Sequence, residues 1–322
     1  MPNDASSAPA TADPRLSLVV PCLNEEAAIA LFYDEALRVL EDRESARSFE
    51  MIFVDDGSKD GTLAEIKKCA ARDGRVRYIS FSRNFGKEAA MLAGLAASRG
   101  QFVVTLDADL QDPPALIPEM LEAVSGGEYD CAATRRVSRK GEPPVRSFFA
   151  RVFYYLMAMI TEIGVVDGAR DFRLMSRVYV DAILAMDERN RFSKGIFPWV
   201  GFKTKWFEYE NVQRSAGTTK WSFWKLMVYA FNGIFAFSSK PLAIASVMGV
   251  LFFLASLVVI SVIVIKHLAG YSVNVYGWAS SVCIILFTSG IQLFTVGILG
   301  QYIAKTYTEV KRRPHYIIKE AS

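Results

Sequence analysis

Between Pro241 and Ile265 the chain runs 25 residues without a charge, and a second uncharged stretch covers Leu268 to Ala304. The apolar heart of the second is Trp278–Gly300. At about 1.5 Å of rise per helical residue, each is long enough to cross a hydrocarbon layer of about 30 Å. Their length, together with the absence of polar periodicity, argues against a pair of buried core helices. Both lie far from the N-terminus, so neither is a signal peptide. The expected spans are 241–265 and 278–300.

The flanking cations set an orientation. Lys220, Lys225 and Lys240 precede the first span, and Lys305, Lys311, Arg312 and Arg313 follow the second. The connection carries only Lys266 and His267. The positive-inside rule then places both termini and residues 1–240 in the cytoplasm, with a small external loop. Net charge +3 is too small to argue for nucleic acid, and the local basic clusters suit an anionic membrane surface. Residues 217–239 mix aromatics with lysine, which predicts an interfacial helix before the first span, bounded at 221–240.

Side-chain inventory narrows the chemistry. The only histidines, His267 and His315, sit beside the spans, which excludes serine–histidine and cysteine–histidine mechanisms. Cys22, Cys69, Cys131 and Cys283 are scattered without Cys-x-x-Cys spacing, so no zinc site is expected. Carboxylates and cations must carry any reaction.

Residues 1–14 are rich in Ala, Ser, Pro and Asp and read as a disordered tail. Strands and helices then alternate. Strands are expected at 16–20, 49–54, 76–81, 102–106 and 130–133, and helices at 25–40, 62–72, 86–98 and 114–124. That alternation predicts an α/β domain over 15–220 with a mainly parallel, doubly wound sheet.

Three polar turns leave those strands. Asp107-Ala108-Asp109-Leu110-Gln111 follows the apolar run Phe102–Leu106. Two carboxylates and an amide at a strand's C-terminal end suit a hard divalent cation, and that end is where open α/β sheets hold ligands. Pro21-Cys22-Leu23-Asn24-Glu25-Glu26 and Asp55-Asp56-Gly57-Ser58-Lys59-Asp60-Gly61-Thr62 follow the first and second strands. Asp60 and Thr62 read as helix caps. Capping leaves Asp55 and Asp56 unexplained, and a carboxylate there can accept from a base N–H or a ribose hydroxyl. Neither a G-x-G-x-x-G after the first strand nor a Walker A sequence is present, which removes the dinucleotide and ATPase signatures.

Together these turns resemble the GT-A glycosyltransferases of the large inverting family 2. The resemblance narrows with Ser82-Arg83-Asn84-Phe85-Gly86-Lys87-Glu88, Asp171-Phe172-Arg173-Leu174-Met175, Lys194–Gly201, and Arg214-x-x-Gly217-x-Thr219-Lys220-Trp221. Over residues 15–319 the set is similar to polyprenyl-phosphate glycosyltransferases, nearest the bactoprenol glucosyltransferases and further from the dolichol-phosphate mannose synthases. Thr219 stands where many relatives have Ser, and Trp221 where they often have Tyr or Phe.

The resemblance implies roles. Pro21, Leu23, Glu25, Val54 and Asp56 would line the nucleotide site, and Asp107, Ala108, Asp109 and Arg135 would contact the donor. Asp109 and Gln111, with Asp107, would ligate Mg²⁺ or Mn²⁺. Arg214 and Lys220 would bind phosphate, and Arg173, Arg191, Arg214 and Lys220 are candidates for the acceptor phosphate. Asp107, Asp109 and Asp171 would be the catalytic carboxylates, with Asp171 either positioning a substrate or pairing with Arg173. The implied reaction is inverting transfer of glucose from UDP-glucose to undecaprenyl phosphate on the cytoplasmic leaflet of the inner membrane.

Mannose, galactose, an amino sugar and aminoarabinose are the rival donors. A processive synthase is disfavoured because Gln-x-x-Arg-Trp is absent, and a decayed scaffold because the carboxylates remain. A lipid-sugar flippase and a later glycosyltransferase would be functional partners. The sequence leaves a homo-oligomer open.

Overall fold

The computed structural model describes residues 13–136, 166, 168–209, 233–269 and 277–322. Arg214, Lys220, most of the 1–14 tail, most of the 221–240 segment and residues 270–276 of the connection lie outside them.

The domain alternates β1 (Leu16–Cys22), α1 (Glu26–Glu41), β2 (Phe49–Asp55), α2 (Thr62–Arg72), β3 (Val76–Phe81), α3 (Lys87–Ala97), β4 (Phe102–Thr105) and α4 (Ile117–Ser125). Then come β5 (Cys131–Arg136), β6 (Ala169–Ser176), α5 (Arg177–Leu184), α6 (Ser193–Trp199) and β7 (Thr204–Tyr209). After them stand α7 (Lys240–Leu268), α8 (Trp278–Val310) and β8 (Ile318–Ala321).

One eight-stranded sheet runs in the order β7-β5-β6-β4-β1-β2-β3-β8. The β4-β1-β2-β3 centre is parallel, and β6 and β8 enter antiparallel. The expected α/β class and the early elements hold to within about two residues at each end. The exceptions are the fifth strand, which extends to Arg136, and α4, which starts at Ile117 after a 3-10 turn over Pro114–Leu116.

Periodicity explains the layers. α1 buries Ala28, Ile29, Phe32, Tyr33, Ala36, Val39 and Leu40, which share one face at helical spacing. That face joins Leu18, Phe53, Ile66 and Phe172 in the larger core. α3 covers the opposite face of the sheet. A Cβ on its Gly94 would lie 2.2 Å from Val19 Cγ1, so glycine sets how closely α3 approaches β1.

α7 and α8 behave differently. Their apolar windows have mean hydropathy 3.0 and 2.2, and neither window is buried against the rest of the chain. Phe253 and Leu286 are 61% and 67% exposed. So much unpartnered apolar surface fits a lipid environment rather than water.

The expected cytoplasmic tail over 301–322 has more structure than anticipated. Residues 301–310 contain no proline, and glycine stops at Gly300, so the helix continues to Val310. Ile318–Ala321 then adds to the domain's sheet beside β3.

Candidate active site

The C-terminal ends of the central strands stand level. Pro21 and Cys22 pair with Val54 and Asp55, and Val19 pairs with Thr105. The turns leaving β1, β2 and β4 therefore open at one end of the sheet. β6 runs back along β4 with Arg173 opposite Thr105, and Thr105 Oγ1 donates to the Asp171 carbonyl at 2.6 Å. Asp171 is thereby brought beside the end of β4, where Asp107 stands.

Lys87, the first residue of α3, joins these carboxylates. Its Nζ lies 2.7 Å from Asp107 Oδ1 and 2.8 Å from Asp171 Oδ2. Burial alone would raise the Asp171 carboxyl. Lys87, with Lys194 and Arg170 nearby, outweighs burial and holds it well below the usual carboxylate range. Lys87 is 41% exposed; partial desolvation works against its charge, and the two carboxylates overcome it, keeping the ammonium protonated above its ordinary range. Asp171 thus pairs with Lys87, in place of the Arg173 pairing considered from sequence.

The loop after β4 is held from beneath. Asp112 is buried and accepts from Arg170 Nε at 3.0 Å and from the Tyr209 hydroxyl. Burial pushes the Asp112 carboxyl up, partly countered by Arg170. Leu110 sits at φ 56°, the left-handed region that leucine seldom adopts, and its side chain packs on the larger core. That conformation presents Asp109 and Gln111 from a tight turn, with the Gln111 N–H donating to Asp109 Oδ1 at 3.1 Å. Both side chains are half-buried, and Ala108 is buried between the two aspartates.

Asp107, Asp109 and Gln111 supply hard oxygen donors, which fit Mg²⁺ or Mn²⁺. Among the described residues no group of three His, Cys, Asp or Glu side chains gathers to hold a metal.

The second turn is occupied differently. Asp55 accepts from the Ser58 N–H at 3.0 Å and the Ser80 hydroxyl at 2.8 Å. Asp56 accepts from the N–H groups of Phe85 (2.6 Å) and Gly86 (3.0 Å). Burial pushes the Asp56 carboxyl up against those bonds. Both aspartates are thus bound to protein, and Asp56 holds the loop that leads into Lys87. Gly57, at φ +68°, lets that loop pass close, because a Cβ there would lie 2.5 Å from the Arg83 carbonyl carbon.

Asp60 ties the first two turns together instead of only capping. It accepts from the Thr62 N–H and hydroxyl and from the Glu26 N–H, while Thr62 Oγ1 accepts from the Glu25 N–H at 2.8 Å. Pro21, Leu23 and Glu25 are half-buried along this rim, and Val54 is fully buried beneath it.

The cations separate into distinct settings. Arg135 is part-exposed and paired with Glu208 on β7. Arg173, a candidate for the acceptor phosphate, is only 4% exposed. It lies against the rings of Phe197 (4.5 Å) and Trp206 (5.2 Å), which closes it off from an incoming phosphate. Arg173 therefore supports the site from within the sheet. Arg191 is half-buried, and its Nη1 donates to the Met186 carbonyl at 2.6 Å.

In the sequence Lys87, Glu88 and Asp112 stand inside the motifs that carry the resemblance but have no role there, and Arg170 and Tyr209 carry no signal. The signal for Lys87 was its place directly after Gly86 at a helix start. Glu88 accepts from the Ser193 N–H at 3.0 Å and from the Ser193 hydroxyl, fixing the start of α6.

Residues 17–184 match the family described as Glycosyl transferase family 2. CsbB of Bacillus subtilis (strain 168), whose name stops at an unproven glycosyltransferase, is 42% identical over 95% of this chain and 92% of its own. The prophage bactoprenol glucosyl transferase homolog of Escherichia coli (strain K12) is 41% identical over 95% of this chain and 98% of its own. The SfII prophage-derived bactoprenol glucosyl transferase of Shigella flexneri is 39% identical, with the same two coverages.

Proposed function

The chain belongs to glycosyl transferase family 2, and from that premise we propose that it moves glucose from UDP-glucose to undecaprenyl phosphate at the cytoplasmic face of the membrane. The observation that carries this reading is the cluster at the end of β4. Asp107, Asp109 and Gln111 offer oxygen donors beside a Lys87-held Asp171, in a chain that also bears two apolar helices. The bactoprenol glucosyl transferase names of the relatives support the lipid acceptor and the sugar.

In this mechanism the lipid phosphate is its own nucleophile. A phosphate monoester with second pKa about 6 is largely dianionic at neutral pH, so no strong base is required. Its oxygen attacks the anomeric carbon from the face opposite UDP, and inversion gives the β-linked lipid-phosphate sugar. Mg²⁺ or Mn²⁺ held by Asp109, Gln111 and Asp107 would supply charge that neutralises the leaving diphosphate. Lys87 stands within reach of the same charge. Asp171, kept ionised by Lys87, orients the sugar or the acceptor. Arg135 can exchange Glu208 for a donor oxygen, and Pro21, Leu23, Glu25, Val54, Asp56 and Ala108 shape the nucleotide side. Arg214 and Lys220, which precede the first span, are assigned to phosphate, with Arg191 on the acceptor side.

The test is a product assay. Purified protein is incubated with undecaprenyl phosphate and a panel of labelled sugar nucleotides, and the lipid product is identified. Glucosyl lipid phosphate from UDP-glucose, with UDP release dependent on both lipid phosphate and divalent metal, is expected. Preference for another sugar would overturn the donor, and UDP release independent of lipid would overturn the acceptor. Orientation is tested by impermeant labelling of Ser272→Cys, with the native cysteines removed. Labelling from outside is expected there and not at Ser322→Cys.

A further inference from the structure

Two contacts link the chain beyond the second span to the loop that carries Lys87. The first comes from the end of α8. The Glu309 carboxylate accepts from the backbone N–H groups of Arg189 (2.9 Å) and Asn190 (2.9 Å) and from Asn190 Nδ2 (2.8 Å). His315 Nε2 lies 3.1 Å from Asp187 Oδ1 on the same loop. That loop runs into α6, whose Ser193 is bound by Glu88, the neighbour of Lys87.

The second contact comes from the strand that follows. The Ser82 N–H donates to the Ile317 carbonyl at 3.0 Å. Tyr316 stacks on Phe81 with centroids 4.9 Å apart and an interplanar angle of 12°, and Phe81 meets Phe85 edge-to-face at 5.8 Å. The Phe85 and Gly86 N–H groups are the ones Asp56 holds, one and two residues before Lys87. Beyond this point β8 is pinned by Lys67–Glu320 at 2.7 Å and by the Ser322 N–H donating to the Tyr78 carbonyl at 3.0 Å.

We propose that Tyr316 and Glu309 are positioning residues for the transfer reaction, and that the segment from Glu309 to Ser322 braces the 82–86 loop and the start of α3 from two sides and so fixes Lys87 between Asp107 and Asp171. The brace makes the cytoplasmic end of the second membrane helix part of the active-site framework. The catalytic part of the claim rests on the glycosyl-transfer reading above; the mechanical part does not.

The experiment uses the full chain in detergent, with two readouts. Hydrogen exchange over 82–92 reports the brace without any turnover, and lipid-dependent UDP release reports its effect on the reaction. Tyr316→Ala is expected to speed exchange at the Phe85 and Gly86 amides about tenfold or more, since local openings set such rates. It should lower kcat about tenfold at saturating donor, with a smaller change in donor KM. Tyr316→Phe keeps the stack and should restore both. Lys87→Met with Tyr316→Ala should be no slower than Lys87→Met alone, because the tyrosine acts through the lysine.

Glu309→Gln, which keeps shape and loses charge, should speed exchange over 189–193 and lower kcat less, and it serves if Tyr316→Ala fails to fold. Unchanged exchange at 85 and 86 in folded Tyr316→Ala, unchanged exchange over 189–193 in Glu309→Gln, or a Tyr316→Phe variant as damaged as Tyr316→Ala, would overturn the brace. Exchange that responds in a protein releasing no UDP from any donor would remove the transferase reading and leave the mechanical brace standing.

Discussion

Two aspartate pairs stand at the same end of one sheet and do opposite work. Asp55 and Asp56, after β2, are each 2% exposed, and their oxygens accept from Ser58, Ser80, Phe85 and Gly86. Asp107 and Asp109, after β4, are half-open, and Asp107 faces a lysine that is itself 41% exposed. The residue type is the same, and what differs is whether the fold has already supplied the hydrogen-bond donors. A carboxylate satisfied by backbone N–H groups organises a loop, whereas one balanced by a movable side chain can exchange that partner for substrate or metal.

The sharpest way to test that contrast is at the open pair. Asp109→Asn should lower UDP release by at least about a hundredfold while the unfolding midpoint hardly moves, since one proposed charged ligand is lost from a half-exposed site. Wild-type activity in excess EDTA, or full activity of Asp109→Asn, would erase the distinction between the pairs.

Next comes the partner that balances the open end. Lys87→Met should lower kcat tenfold or more and move the acid limb of activity to higher pH. The sign follows from Asp171, whose carboxyl is held below its ordinary value in the folded chain. Its pairing is present above the unfolded pKa and lost as pH falls through the folded one. Without Lys87 only Lys194 and Arg170 oppose burial, so protonation begins at higher pH. A pH–rate profile that shifts nowhere would show that the ammonium is not what keeps Asp171 charged.

The closed pair should respond in stability first. Asp56→Ala leaves the Phe85 and Gly86 N–H groups without their acceptor, at about 1–3 kcal/mol, read from denaturant midpoints. Activity measured well below the unfolding transition should fall less than in Asp109→Asn. An Asp56→Ala protein of wild-type stability that cannot bind nucleotide would make Asp56 a direct ligand and reverse the assignment. The smallest change is expected at Arg135→Lys. Its Glu208 partner is exposed, so the loss should be a few-fold in donor KM, reflecting point-charge geometry in place of a fork.

Much of this contrast was legible in the sequence. Apolar runs at strand length and helical periodicity place every element from Leu16 to Ser125 closely, and Asp107-x-Asp109 marks the open turn. What the sequence concealed depends on contacts far apart in the chain. Nothing local to Lys87 announces Asp171, 84 residues away. Asp56 reads as a ligand because its partners, the Phe85 and Gly86 amides, carry no signature of their own. Arg173 reads as a candidate for the acceptor phosphate because the rings that cover it arrive on α6 and β7. Residues 301–322 read only as a tail because four residues, Ile318–Ala321, are too short a strand to declare themselves without the edge they meet.

That last strand carries a consequence for how the protein is made. β8 follows both apolar helices in the chain, so a ribosome completes it only after the helices have been synthesised. Until then β3 is an unpaired edge, open to other strands. On the proposed topology, the sheet gains this last strand only after the chain has passed into the bilayer and back. A nascent chain whose helices fail to insert would be left with an exposed, adhesive margin on an otherwise folded domain, and misinserted copies would reveal themselves by aggregation rather than by activity in the wrong place.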